Sequence, residues 1–124
     1  MKYLSLVPVY LLSIIYLVFG SNFFLHFIPM PPMTGNAGTF VGVIYSTGFL
    51  AFVKVLEMLF AILLLLKPTR AIGLLLIAPI SVNILLFELF IAQQLGIGIL
   101  LVALNIWAIY AAKEKYLGIV ARTN

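Results

Sequence analysis

The chain has no cysteine, which removes disulfides, thiolate metal sites and iron–sulfur clusters together. It has one histidine, so a bis-histidine haem cannot be built within one chain. Charge is also scarce. Charged residues make up 8% of the 124 positions, against about 25% in soluble domains, and only three of them are acidic. What replaces them is hydrocarbon: 65% of the residues are hydrophobic and the mean hydropathy is +1.29. This predicts an integral membrane protein. The sequence pI of about 9.6 would point to nucleic acid in a soluble protein, but the basic residues here flank apolar runs and read as topology signals. No nucleic-acid partner is expected, and the bilayer is.

Four spans are predicted, at about 4–28, 49–66, 71–92 and 97–112. The first apolar run, Leu4 to Ile28, is long enough to cross ~30 Å of hydrocarbon, and Pro8 falls early enough to be tolerated. Val18-Phe19-Gly20 before Ser21 resembles a signal-cleavage site, yet the apolar run continues through it, which favours a retained span. The uncharged segment Pro29–Asn36 cannot be helical. Ala37–Leu66 would make a helix about 45 Å long if unbroken, half as long again as the bilayer needs. Thr47-Gly48 is the best break within it, giving a short interfacial helix near Ala37–Ser46 and a second span from Phe49. Pro68 ends that span, Pro79 is expected to kink the third, and Gln93–Gly96 forms a short turn. Lys113–Asn124 reads as a polar tail. The fold class is therefore all-α, an integral membrane four-helix bundle in one domain, with a short interfacial helix between spans one and two.

Six of the seven basic residues, Lys2, Lys67, Arg70, Lys113, Lys115 and Arg122, fall at the N-terminus, between spans two and three, and after span four. By the positive-inside rule both termini are predicted cytoplasmic. The seventh is Lys54. With Glu57 it sits inside a span, and a charge at the centre of a membrane helix costs on the order of 2.5–3.5 kcal/mol. Three residues apart on a helix, the two share a face and can neutralise each other. Asn22 and His26, four apart, put a polar stripe on span one, while Asn83 and Glu88 lie in span three and Asn105 in span four. Together Asn22, His26, Lys54, Glu57, Asn83 and Glu88 are the candidate pocket for a ligand or a proton relay, open toward the outside. Several polar residues have a plainer reading, Asn83 and Asn105 as interhelical hydrogen-bonding residues, His26 as a solvated helix end, Lys54 and Glu88 as side chains reaching the surface, whereas the depth of Glu57 marks it as a functional candidate with Lys54 as its nearest partner. Neither a catalytic residue nor a metal site is indicated.

The order Phe19-Gly20-Ser21-Asn22-Phe23-Phe24-Leu25-His26-Phe27, Pro29-Met30-Pro31-Pro32-Met33, Thr47-Gly48-Phe49, the Glu57 helix ending Leu63–Leu66, and Ala78-Pro79-Ile80-Ser81-Val82-Asn83-Ile84-Leu85-Leu86-Phe87 resembles the DoxX family of small four-helix bacterial membrane proteins. The resemblance spans about Leu4 to Tyr116. It implies an inner-membrane accessory subunit of a quinone-linked or other redox complex, with quinone as the possible cofactor and a redox protein or a second copy as the partner. Where relatives often carry His after Asn-Ile-Leu-Leu-Phe, this chain has Glu88, so no histidine-based role is implied there. The alternatives are a small-solute transporter or proton relay, and a structural assembly factor. A complete redox enzyme is not expected, because cysteines, paired haem ligands and a dinucleotide fingerprint are all missing.

Overall fold

The computed structural model describes residues 6–29 and 32–122, and it is all-helical over them. The elements are α1 (Val7–Leu25), α2 (Gly35–Ser46), α3 (Phe49–Leu65), a single 3₁₀ turn at Lys67–Thr69, α4 (Arg70–Leu86), a π-helical continuation at Phe87–Ala92, α5 (Gly98–Ala111) and α6 (Lys113–Arg122). Helix α1 packs on α3 and α5, and α4 packs on the same two, so the four form a closed ring. Neighbours in the ring run antiparallel: Ser13 meets Ala61 while Gly20 faces Met58, and Leu85 faces Gly98 while Leu74 meets Asn105.

Each helix of the ring turns one stripe inward at helical spacing. On α1 it is Val9, Leu12, Ser13, Tyr16 and Gly20; on α5 it is Gly98, Leu101, Leu104, Asn105 and Ala108. The stripes mix Leu and Ile with small and polar residues, and many other large apolar side chains lie outside. Ile14, Phe52, Ile72, Phe90 and Ile106 are all exposed. A surface of this kind suits hydrocarbon, and two helices are long and apolar enough to cross it: Val7–Leu25 with 19 residues and Lys67–Ala92 with 26. The bent pair α2 and α3 makes a third candidate crossing. Helix α5, at 14 residues or about 21 Å, is shorter than the hydrocarbon layer.

The break at Thr47-Gly48 is present. Gly48 takes φ 84°, a left-handed conformation that a residue without Cβ adopts freely, and the axis turns by 83° between α2 and α3. Pro79 lies inside helix α4, which continues to Leu86. Pro8 occupies the first turn of α1, where no intrahelical partner for its nitrogen is needed.

Three sequence expectations are corrected. Span one does not run to Ile28: α1 stops at Leu25, because His26 turns left-handed at φ 54° and the Asn22 carboxamide accepts the Ile28 N–H at 2.6 Å. Lys113–Arg122 is not a tail but a helix, held at its second turn by the Tyr116 hydroxyl donating to the Ala71 carbonyl at 2.9 Å. The third span begins at the Lys67 turn and finishes in π-helical geometry, with the N–H groups of Gln93 and Gln94 both donating to the Glu88 carbonyl. Met30 and Pro31 in the proline-rich segment, Leu4 and Ser5 at the start of the first expected span, and Thr123 and Asn124 at the end of the expected tail lie outside the described residues.

Candidate functional site

The buried charge pair forms as its spacing requires. Glu57 and Lys54 lie one turn apart on α3, with Lys54 Nζ donating to Glu57 Oε1 at 3.4 Å. Glu57 faces inward at 3% exposure, whereas the Lys54 side chain keeps 21%. The helix beside them is α1, and it can approach because Gly20 is there: a Cβ at Gly20 would lie 2.5 Å from Met58 Cγ and 3.6 Å from the Lys54 carbonyl. Ser21 adds a 3.7 Å contact to the Met58 sulfur.

The other members of the predicted pocket do not join this pair. Asn22 is buried, but its side-chain oxygen is committed to Ile28 N–H, closing the end of α1. The four-residue spacing predicts that His26 shares the Asn22 face; the left-handed turn instead puts it outside the helix, and it is exposed. Asn83 is exposed as well and makes no interhelical hydrogen bond among those of the described residues. Glu88 accepts from Gly96 N–H at 3.1 Å and Gly98 N–H at 2.9 Å, so its carboxylate caps the start of α5 and completes the turn after the π-helical segment. Charge, capping and closeness of approach all meet here. A Cβ at Gly98 would fall 2.8 Å from Leu85 Cα.

A second polar system lies deeper, and sequence reading missed most of it. Tyr16 OH bonds Ser81 Oγ at 2.6 Å, Ser81 Oγ bonds Asn105 Oδ1 at 2.8 Å, and Asn105 Nδ2 donates to the Leu74 carbonyl at 3.3 Å. Because the amide oxygen can only accept, Ser81 donates to it and Tyr16 donates to Ser81. This chain joins α1, α4 and α5 through residues that are all at or below 3% exposed. Ser13 adds a bond across to α3, donating to Ala61 O at 3.2 Å. A serine or tyrosine in an apolar run carries little signal by itself. The clue available was the spacing: Ser13 and Tyr16 share the stripe that holds Gly20.

At the opposite end from Gly48, basic residues gather. Arg70 donates from Nε to the Leu64 carbonyl at 2.8 Å and from one Nη to Leu65 O at 3.4 Å, and its guanidinium lies 5.7 Å from the centre of the Tyr10 ring. Behind it a cavity of about 150 Å³ opens between α1, α4, α5 and α6. Tyr116, whose hydroxyl bonds the carbonyl of the cavity-lining Ala71, has its phenol pushed up from the ordinary value of 10.0 by burial.

No family model, curated protein or solved structure matches the chain.

Proposed function

We propose that the chain is a four-helix integral membrane bundle of the DoxX type, in a bacterial inner membrane with both ends cytoplasmic, acting as an accessory subunit of a quinone-linked or other redox complex. The observation that carries this reading is the Lys54–Glu57 pair: a carboxylate at 3% exposure on an otherwise apolar helix, next to the close α1 contact at Gly20. An intramembrane charge pair is costly, and such pairs mark functional positions more often than ordinary packing does. Redox chemistry itself belongs to the partner in this reading, since the chain has no cysteine and a single histidine. The chain's part is to hold and position.

The test is to purify the full chain in mild detergent and identify co-purifying proteins and quinones by mass spectrometry. Recovery of a redox subunit or quinone with the native chain, lost in the Lys54→Met, Glu57→Gln double variant, supports the reading. Equal recovery from both overturns the role assigned to the pair. A second reading, a bundle whose polar residues only fix helix register, is favoured by one specific observation: Asn22, Glu88 and Asn105 each spend their hydrogen bonds on their own chain. Under it, the double variant would keep every partner that the native chain keeps.

A further inference from the structure

The cavity at the basic end is not part of either polar system described above. Its floor is apolar and tightly packed, formed by Leu6, Val9, Leu74 and Ala108, of which Val9, Leu74 and Ala108 are at or below 3% exposed. Its rim carries two cations from different elements, Arg70 at the start of α4 and Lys115 in α6. Arg70 is held in place from behind. Its bonds to the Leu64 and Leu65 carbonyls and its stacking on Tyr10 fix the guanidinium, and of its five N–H donors two are used in those bonds. Lys115 is exposed and free to turn toward it. Lys67 and Lys113 extend the positive field at this end, and Glu114 is the one acidic residue near them among the described residues.

We propose that this cavity is a headgroup site for an anionic phospholipid, with the phosphodiester between Arg70 and Lys115 and the first carbons beneath it resting on Leu6, Val9 and Ala108. A guanidinium fixed in one orientation with donors to spare is suited to phosphate oxygens, and a second cation on a mobile stem completes the charge match. The apolar floor asks for a ligand that is part hydrocarbon, which inorganic phosphate is not. About 150 Å³ accommodates the headgroup region and leaves the acyl chains outside, along the apolar helix surfaces. Basic pockets between helices at the cytoplasmic side of a membrane are where anionic lipid headgroups are recognised. This inference rests on the membrane reading given under Proposed function.

The test uses the full chain in detergent micelles doped with phosphatidylglycerol or phosphatidylcholine, with bound lipid counted by native mass spectrometry. Phosphatidylglycerol is expected to be retained over phosphatidylcholine. Lys115→Glu, an exposed position that the fold does not need, should lower that preference by about fivefold or more, given roughly 1 kcal/mol for each basic residue near an anionic surface. Ala111→Phe, which fills the cavity from its exposed wall without altering charge, should lower it comparably. Equal retention of the two lipids by the native chain overturns the proposal, as does a preference unchanged in both variants. Displacement of the lipid by millimolar inorganic phosphate would show an anion site rather than a lipid site, and overturns it too. Failure of the membrane reading looks different: native chain released from bacterial membranes by alkaline carbonate, whatever its lipid preference in micelles.

Discussion

Glu57 and Lys54 carry opposite charges in a helix with no other ionisable side chain, and their unequal exposure decides what each substitution does. Glu57→Gln strands a lysine whose side chain is only partly buried, so the loss should sit near the low end of the range for broken buried pairs, about 3 kcal/mol. Lys54→Met strands the more deeply buried partner and should cost more. The double variant should recover most of the stability, because no unpaired charge is left. Thermal unfolding of the three variants in one detergent reads this directly, and a double variant no better than the worse single one would remove the coupling. Gly98 sets a second limit at this scale. A methyl there meets Leu85 Cα, which is backbone and cannot turn aside, so Gly98→Ala should destabilise by about 1–3 kcal/mol, whereas at Gly20 the obstacle is a flexible Met58 side chain and the same change should cost less. Glu57 and Lys54 were legible in the sequence because a charge in an apolar run is conspicuous. His26 and Asn83 are conspicuous for the same reason, yet both are exposed, since rarity identifies a polar residue but not the direction in which it points.

Two elements depend on one residue each. The 83° turn between α2 and α3 rests on Gly48, which has open space where a Cβ would go, so Gly48→Ala meets no clash and suffers only the left-handed backbone penalty of about 1–2 kcal/mol. Gly48→Asn should cost less than Gly48→Ala, because asparagine tolerates that conformation, and the order of the two melting temperatures checks the assignment. Helix α6 depends on the Tyr116 hydroxyl bonded to Ala71 O. Burial raises this phenol, so the neutral form is the one that the docked helix favours. Its contribution is whole below about pH 10, the unfolded value, and is lost as pH climbs through the raised one. The protection of the Lys113–Arg122 amides, relative to the exchange of an unstructured chain at the same pH, should therefore fall above pH 10 in the native chain, and Tyr116→Phe should show low protection at every pH. The break could be foreseen from length, since a 30-residue helix overshoots a bilayer, and its place from the turn signal Thr47-Gly48. The docking of α6 could not, because its latch pairs a side chain with a backbone carbonyl 45 positions away.

In the whole molecule, the ring of α1, α3, α4 and α5 is tied at its centre by Tyr16, Ser81 and Asn105. Asn105→Leu removes the bond to Leu74 O and leaves Ser81 to fall back on the Ile77 carbonyl, 3.3 Å away, so the expected loss is about 1–3 kcal/mol. Tyr16→Phe should cost about 1 kcal/mol, since Ser81 keeps its acceptor. Melting curves that reverse this order would show that the network is not organised as its donors and acceptors require. By itself the sequence determined that the chain is helical and apolar, that a helix breaks at Thr47-Gly48, and that Lys54 and Glu57 pair, because hydropathy, length, a glycine and one-turn spacing act locally. Only the tertiary structure decided which face of each helix is inside. In a water-soluble bundle the buried stripe is the apolar one and can be read from its period. Here the exposed faces carry Ile14, Phe52 and Ile106 while the buried stripes carry Ser13, Gly20, Ser81, Gly98 and Asn105, so apolar periodicity points to no face. Close approach at glycines and satisfaction of buried polar groups select it instead, and both are set by neighbours distant in the chain.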